Sequence, residues 1–397
     1  MLRCILTFAF PALLSAADWT QFRGSDLTGV DSKAKPPATF DATSIAWKAP
    51  LPGRGLSSPL IISGRVYLTA ASGPQQEVLH IMCFRAADGK QLWDREFRAT
   101  GRTMCHPKTC NAAPTPCSDG KNIYALYSSN DLICLDLDGN LQWLRGLTLD
   151  YPNASNSLGL ASSPLIADGV LVVQIENDSD SFAAGIDPAT GVNKWRIPGA
   201  KDANWTSPTI ARDPDGKESA SVVVTSRKGV IAVDLQTGKE RWTLEGGTTI
   251  PSSTVSSNIL AVPSNGMKVW EIQAGTTPPK MLWESPQVGA GTASPLIIGE
   301  HLFAVNNAGV LTCAITQSGD RKWKLRLDGT FSGSPVAAAN TIYAVTEKGT
   351  LLAVDTKAPE GAISGKLDLG QTVLCTPSLS GNSIYLRSDK TLWKIGQ

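Results

Sequence analysis

The chain has 397 residues, 36 of them Gly and 25 Pro, and a formal net charge of +1 at pH 7. With 42% hydrophobic residues it can bury a large core, and the many Gly and Pro suit a fold with many turns. The nearly balanced charge and the lack of a Lys/Arg run argue against a nucleic acid or an anionic membrane surface as the partner. After the first residues, no stretch is long and apolar enough to predict a transmembrane helix.

Residues 1–17 have the pattern of a secretory signal peptide. Arg3 precedes an apolar run at 5–14, and residues 15–17 (SAA) supply small side chains at the cleavage positions. The run is too short to span a bilayer, and Cys4 lies before it rather than at the cut, so we expect no lipid anchor. The mature protein is therefore expected to be periplasmic or secreted. The alternative is that these residues form a buried N-terminal strand.

Residues 18–43, which begin DWTQFRGSDLTGV, show no sustained period and are predicted to be an extended arm lying on the domain surface. From residue 44 onward one pattern repeats. Four short apolar runs, rich in β-branched and aromatic residues, are separated by Gly, Asn or Ser. Residues 294–327 show it most plainly, with the runs SPLII, HLFAV, VLTCAI and RKWKL. This pattern predicts units of four strands.

Two markers define the repeat. The first strand of each unit opens with a hydroxyl residue beside Pro, at Ser58-Pro59, Thr115-Pro116, Ser163-Pro164, Ser207-Pro208, Pro251-Ser252, Ser294-Pro295, Ser334-Pro335 and Thr376-Pro377. The second marker is a Gly followed four residues later by Trp, at Gly89/Trp93, Gly139/Trp143, Gly191/Trp195, Gly238/Trp242 and Gly319/Trp323. Trp283 keeps the Trp in a lengthened turn, whereas the unit at 335–370 has lost it. We expect the Gly in a turn that needs positive φ and the Trp packed between neighbouring sheets.

A period of about 40–50 residues with four strands per unit indicates a β-propeller. Seven units are complete, and the last, 375–395, has only three strands. Residues 45–48 at the other end supply the missing fourth strand, and closing the ring in this way removes the free edges. The prediction is an all-β fold over residues 44–397: an eight-bladed β-propeller of four-stranded antiparallel blades, closed by the N-terminal strand.

Several segments carry a family resemblance. IAVDLQTGKERW (231–242) and AAGIDPATGVNKW (183–195) resemble the A-x-D-x-x-T-G-x-x-x-W repeat of the pyrroloquinoline quinone (PQQ)-like β-propellers. WTQFRGSDLTGV (19–30), SSPLIISGRVYLT (57–69) and APTPCSDGKNIYALY (113–127) resemble the bacterial PQQ-binding-like repeat proteins. The resemblance covers nearly the whole mature chain and implies the propeller fold. It leaves the function open, because the superfamily includes quinoprotein dehydrogenases, the outer-membrane β-barrel assembly lipoprotein and members with no known activity.

The resemblance makes a PQQ-dependent oxidoreductase one reading of the function. Such enzymes carry a disulfide between adjacent cysteines above the cofactor, calcium held by Glu and Asn, and a catalytic Asp. This sequence has no adjacent Cys pair, and eight bare blades leave little chain for active-site insertions. We therefore expect neither PQQ nor catalysis and assign no catalytic, cofactor or metal residues, although His106 is the residue that could serve as a base.

The favoured reading is an exported, non-catalytic scaffold for binding or assembly. The quinoprotein enzyme is the alternative, and a subunit of outer-membrane assembly machinery is a third reading.

The cysteines fall into distinct positions. Three occupy one place on the third strand of the repeat, equivalent to Ala232, where a small buried side chain is needed: Cys83, Cys134 and Cys313. Cys105 and Cys110 lie in the loop CHPKTC, so we expect either a short-range disulfide or two separate thiols. None of the three histidines has zinc-site spacing: His80, His106 and His301.

The candidate binding surface is one rim of the propeller. The loops from second to third strands and those between blades emerge on the same face, and here they are the irregular ones. The candidate binding residues are Arg54, His106, Asn111, Asn156, Glu176, Asp178 and Trp205. The alternative for each is a solvated loop residue, and Asp178 with Asp180 could contribute to a calcium site. We expect a monomer that binds a protein or peptide, with a saccharide as the alternative ligand.

Overall fold

The computed structural model describes residues 18–154 and 157–397. Within these ranges, 32 strands form eight four-stranded antiparallel sheets, accompanied by a 3-10 helix (Ala42–Ser44) and one short α-helix, α1 (Leu147–Asp150). Every helix in the described part of the chain falls short of the length and apolar character that a membrane crossing needs. The predicted signal peptide lies outside the described residues.

The sheets are the blades of the propeller, numbered here in chain order. Blade 1 consists of β2 (Leu60–Ile62), β3 (Arg65–Ser72), β4 (Val78–Arg85) and β5 (Gln91–Arg98). Blade 2 consists of β6 (Cys117–Ser118), β7 (Asn122–Leu126), β8 (Asp131–Asp136) and β9 (Leu141–Gly146). Blade 3 consists of β10 (Leu165–Ala167), β11 (Val170–Ile175), β12 (Phe182–Ile186) and β13 (Asn193–Pro198). Blade 4 consists of β14 (Thr209–Ala211), β15 (Ser221–Ser226), β16 (Gly229–Asp234) and β17 (Glu240–Glu245).

The other four blades continue the same order. Blade 5 consists of β18 (Thr254–Ser256), β19 (Ile259–Ser264), β20 (Gly266–Glu271) and β21 (Lys280–Ser285). Blade 6 consists of β22 (Leu296–Ile298), β23 (His301–Val305), β24 (Val310–Ile315) and β25 (Arg321–Arg326). Blade 7 consists of β26 (Val336–Ala338), β27 (Thr341–Val345), β28 (Thr350–Asp355) and β29 (Ala362–Asp368). Blade 8 consists of β30 (Ser378–Ser380), β31 (Ser383–Arg387), β32 (Thr391–Gly396) and the N-terminal β1 (Ile45–Pro50).

The ring closes as the sequence predicts. β1 pairs antiparallel with β32, and the register places Trp47 opposite Lys394 and Ala49 opposite Leu392. The first strand of the fold and the last strand of the chain therefore share one sheet, which leaves blade 8 without an unpaired third strand. The prediction of eight four-stranded antiparallel blades is confirmed.

The core lies between neighbouring blades. Inner strands such as β11 are buried along their whole length, because each sheet packs against a sheet on both faces. In outer strands such as β13, exposed residues alternate with buried or half-buried ones. One apolar cluster, for example, joins Val223 and Trp242 of blade 4 to Leu260 and Val262 of blade 5. The hydrophobic runs of the repeat thus form the core between the blades.

The repeated Trp packs on the turn of the next blade. The indole of Trp195 covers Gly238, where an added Cβ would lie 2.8 Å from the ring, and its Nε1 donates to Leu235 O at 2.8 Å. Gly238 has φ +71, so the turn needs Gly both for its backbone and for the indole above it. Trp283 makes the same contact with Gly319. The expected packing of these Trp residues between sheets is confirmed.

The N-terminal arm fills the Trp position that blade 7 lacks. Gly365 stands where the Trp would be, and a Cβ added to it would meet Ala38 O at 2.8 Å and Phe40 Cε2 at 3.0 Å. Ser364 Oγ donates to Ala38 O at 2.8 Å. An aromatic side chain from elsewhere in the chain therefore covers the outer strand of this blade.

The first half of the arm lies in the central channel, and our expectation of a surface position was wrong for these residues. Trp19 and Arg23 are each 2% exposed. Trp19 pairs with Ile61 of blade 1, while the guanidinium of Arg23 donates to Thr254 Oγ1 of blade 5 at 2.7 Å and to Pro295 O. Burial lowers the pKa of Arg23 to about 9. The lack of a repeat follows from this position, because Trp19 and Arg23 contact different blades.

Candidate functional site

The hydroxyl residues that open the first strands form a ring around the channel. The backbone N–H of each donates to the hydroxyl of the equivalent residue in the next blade, at 2.9–3.0 Å, in seven places of the described structure. The ring members are Ser58, Thr115, Ser163, Ser207, Ser252, Ser294, Ser334 and Thr376. The ring is interrupted between Thr376 and Ser58, whose Oγ is buried without a partner in the described structure. Each linked hydroxyl accepts one hydrogen bond and keeps its own O–H for a further acceptor.

The ring corrects the alignment of the fifth unit by one residue. Ser252 accepts from Ser207 N and donates its own N–H to Ser294, so Ser252-Ser253 is the equivalent of Ser207-Pro208. The sequence alignment had matched Pro251 to the hydroxyl position. Matching hydroxyl to hydroxyl places Ser252 in the ring, because the hydroxyl makes the contact between blades.

A cavity of about 490 Å³ lies above the channel, bounded by the ring and by the connections between blades. Its lining residues outside the ring are Phe22, Leu56, His106, Lys108, Thr109, Ala113, Leu158, Ala161, Trp205, Ile250, Thr292, Ser332 and Leu374. Phe22 belongs to the arm and therefore closes the channel side of the cavity. The cavity combines apolar walls with a circle of hydroxyl groups.

Two of the predicted rim residues, His106 and Trp205, line this cavity. The backbone N–H of His106 donates to Leu158 O at 2.9 Å, which ties the connection before blade 2 to the connection before blade 3. Its Nδ1 accepts from Lys108 N at 3.1 Å. Trp205 is half-buried, and its N–H donates to Thr249 O at 2.7 Å. Both side chains are held by backbone contacts and present their rings to the cavity.

An ion pair at the cavity mouth joins the connection between blades 1 and 2 to the loop between β27 and β28. Lys108 Nζ lies 3.0 Å from Glu347 Oε1, which also accepts from Ser332 Oγ at 2.8 Å. Arg54 lies on the same rim, 3.2 Å from Asp389 Oδ2 and 3.1 Å from Pro107 O. Arg54 thus supports the loop that carries His106 and is not among the residues that line the cavity.

The remaining predicted residues are dispersed. Asn111 is fully buried, where its Oδ1 accepts from Ser129 N and its Nδ2 donates to Gln76 O, so it holds loops together. Asp178 is exposed. Asn156 lies outside the described residues. The calcium site suggested for Asp178 stays a prediction.

Glu176 is buried beside the cavity wall. It is 3% exposed, and Asn204 Nδ2 donates to its Oε2 at 2.6 Å. Burial raises the pKa of Glu176 to about 7, against the opposing effect of the hydrogen bond from Asn204. Asn204 precedes Trp205 directly, so this carboxyl group supports a segment that lines the cavity.

Cys105 and Cys110 are separate thiols in the structure, the second of the two expected states. Cys110 is fully buried in the apolar cluster between blades 1 and 2, and burial raises the pKa of its thiol to about 12. Cys105 Sγ lies beside Thr103 O at 3.3 Å and Ser128 Oγ at 3.6 Å. The two side chains therefore have different surroundings, one apolar and one polar.

Sequence reasoning missed most of the cavity wall. Leu158, Ile250 and Leu374 come from connections that carry no repeated marker. The ring hydroxyls are visible in the sequence as the first-strand marker, which indicates the number of blades but not a cavity. A residue that recurs at the innermost position of every blade is a signal for the channel lining.

Comparison with known proteins shows to which family the chain belongs. A sequence profile of the family described as outer membrane protein assembly factor BamB matches residues 40–244 and 255–362. The chain belongs to this family. One curated member, outer membrane protein assembly factor BamB of Legionella pneumophila (strain Paris), is 24% identical over 208 residues. That match covers 51% of this chain and 52% of the relative, so the chain spans about half the length of the curated protein it matches.

Solved structures share the fold. BamB from Moraxella catarrhalis superposes with a TM-score of 0.64 at 15% identity, over 88% of this chain and 96% of that one. The quinohemoprotein alcohol dehydrogenase from Comamonas testosteroni superposes with a TM-score of 0.72 at 12% identity, over 96% of this chain and 80% of that one. At these identities both structures show the propeller fold alone.

Proposed function

We propose that this chain is an exported, non-catalytic propeller that binds a segment of polypeptide at its cavity face during outer-membrane protein assembly. Membership of the BamB family supports a scaffold role. The observation that carries the binding site is the cavity itself, an open space of about 490 Å³ with apolar walls and a circle of hydroxyl groups. Its volume lies in the range of ligand-binding pockets, roughly 300–1,000 Å³.

The chemistry of the cavity suits an extended peptide. Trp205, Ile250 and Leu158 offer apolar contact, and the last two are 46% and 42% exposed. The O–H groups of the ring can donate to peptide carbonyl oxygens, which need hydrogen-bond donors when they leave water. A folded partner is too large for this volume, so we infer that a side chain or a short segment enters it. A peptide recognised in this way needs little sequence specificity.

The same residues do not fit a calcium-bound quinone. Calcium is held by six to eight oxygen ligands, with carboxylates prominent among them. Among the described residues that line the cavity, none is Asp or Glu. Lys108, which could meet an anionic cofactor, is already paired with Glu347. These points favour the scaffold over the PQQ-dependent oxidoreductase.

Site-specific photo-crosslinking tests the proposal. A benzophenone amino acid at position 250 places the probe on the cavity wall, and the same probe at position 192 places it on a turn between third and fourth strands, at the opposite end of a blade. Val192 is 63% exposed, so it is a matched control for accessibility. In cells, we expect position 250 to crosslink to precursors of outer-membrane proteins and position 192 not to. Equal crosslinking at both positions, or none at 250, would contradict the proposal.

A further inference from the structure

Outside the cavity, blade 1 carries a cluster of metal-binding side chains. His80 on β4 and Asp94 and Glu96 on β5 place one ligand atom each within 4.8 Å of one another. His80 Nδ1 lies 3.0 Å from Asp94 Oδ2 and 3.9 Å from Glu96 Oε1. On the chain His80 and Asp94 are 14 residues apart, on different strands, which is why sequence spacing did not indicate a site.

The sheet register builds this cluster. His80 lies directly opposite Glu96, and Met82 lies opposite Asp94, so the three ligand side chains project from the same face of the blade. That face packs against blade 8, because Met82 shares an apolar cluster with Trp393. The ligands are therefore fixed by two hydrogen-bonded strands and not by a mobile loop.

Polar neighbours on both ring nitrogens orient the imidazole of His80. His80 is 3% exposed, and its Nε2 lies 2.8 Å from Ser72 Oγ while Nδ1 faces the two carboxylates. A histidine that binds a metal through one nitrogen commonly donates its other ring N–H to a polar group, which fixes the ring. Ser72 is placed to accept that hydrogen bond.

The charge of the cluster favours a cation. In the described ranges, no Lys or Arg forms an ion pair with Asp94 or Glu96. The carboxylates of Asp94 and Glu96 thus both face the imidazole of His80. Ligands bound to one Zn²⁺ at about 2.0–2.2 Å lie about 3–3.5 Å apart. The distance from His80 Nδ1 to Asp94 Oδ2 already matches this spacing. The distance from His80 Nδ1 to Glu96 Oε1 is longer, but the Glu96 side chain is 66% exposed and can move toward the metal.

We propose that His80, Asp94 and Glu96 form a binding site for a divalent transition metal, with Zn²⁺ the best match. The imidazole favours Zn²⁺ over Mg²⁺ and Ca²⁺, which prefer oxygen ligands alone. Three protein ligands leave a coordination position for water. Because Glu96 and Asp94 are accessible from solvent, the metal has a route into the site.

Titration of the purified full chain with Zn²⁺ against a chromophoric chelator tests the site, with Mn²⁺, Mg²⁺ and Ca²⁺ as comparisons. His106 is exposed and is replaced by Gln in every protein used, so that it does not compete. We expect one tightly bound Zn²⁺ per chain. Asp94→Asn and Glu96→Gln should each weaken it by more than about tenfold, and Ser72→Ala by about tenfold with recovery in Ser72→Thr.

Blade 4 offers a matched control. Glu245 pairs with Gly229 as Glu96 pairs with His80, so the equivalent carboxylate there has no imidazole opposite it. Glu245→Gln should leave Zn²⁺ affinity unchanged. Near-ultraviolet circular dichroism would show that each variant is folded. The same Zn²⁺ affinity in Asp94→Asn, Glu96→Gln and the unsubstituted protein would overturn the proposal, as would equal loss in Glu245→Gln.

Discussion

Lys108 Nζ lies 3.0 Å from Glu347 Oε1, which joins the connection between blades 1 and 2 to the loop between β27 and β28 of blade 7. The two residues are 239 positions apart in sequence. Burial alone would raise the pKa of Glu347, but hydrogen bonds from Ser332 and Lys108 lower it below its usual value. The pair therefore joins a loop at the cavity mouth to blade 7, which is not a neighbour of that loop in the ring.

We predict that Glu347→Gln loosens this loop with little effect on overall stability. The Lys108 side chain is 64% exposed, and exposed ion pairs contribute only about 0–1 kcal/mol. Hydrogen exchange of residues 99–116 should accelerate. Lys217→Gln, which breaks an exposed pair with Asp215 on blade 4, is the control and should leave that exchange unchanged. Unaltered exchange in Glu347→Gln would show that the pair does not restrain the loop.

The Trp positions should carry much of the stability. Trp242 is 4% exposed between blades 4 and 5, so Trp242→Ala should lower the free energy of unfolding by about 3–5 kcal/mol. Denaturant unfolding measures this loss. Leu141→Ala removes a side chain that is 53% exposed and should change the free energy by less than about 0.5 kcal/mol. A loss below about 1 kcal/mol for Trp242→Ala would mean that the indole is not part of the core.

Two glycines with similar backbone angles separate backbone strain from contact with Trp. Gly216 has φ +67 with open space around it, whereas Gly238 has φ +71 with the indole of Trp195 above it. Gly216→Ala should cost about 1–2 kcal/mol through its positive φ alone. Gly238→Ala should cost about 1–3 kcal/mol more, because the new methyl group displaces the indole. Equal losses in calorimetry would contradict the docking of Trp195 on this turn.

The sequence was sufficient for the architecture because its markers recur in every blade. Each first strand has a hydroxyl residue, and most fourth strands have a Trp. Because each marker makes the same contact in one blade after another, one deviating unit does not hide the period. The arm lacks such repetition, since Trp19 and Arg23 meet different blades, and its position in the channel could not be predicted. In the same way, Asn111 and His106 look alike as polar loop residues. Only the packing of neighbouring loops buries the first and leaves the second at the cavity.

The stability of the protein should depend on pH through Glu176. Glu176 has a pKa of about 7 in the folded protein, raised by burial from the usual 4.5. Between these values the folded state binds more protons than the unfolded state, so the free energy of unfolding falls as pH rises from about 4.5 to about 7. Above pH 7 the buried carboxylate is charged, at a cost of roughly 1–3 kcal/mol.

Glu176→Gln should remove this dependence, because its amide stays neutral and its oxygen can still accept from Asn204. Urea unfolding at pH 5 and pH 8 would measure the difference for each protein. We expect the variant to be the more stable protein at pH 8 and to lose its advantage at pH 5. Glu245→Gln, which replaces an exposed carboxylate, should follow the unsubstituted protein at both values. A variant that is less stable than the unsubstituted protein at pH 8 would contradict this expectation, because it would show that the charged Glu176 stabilises the segment next to Trp205.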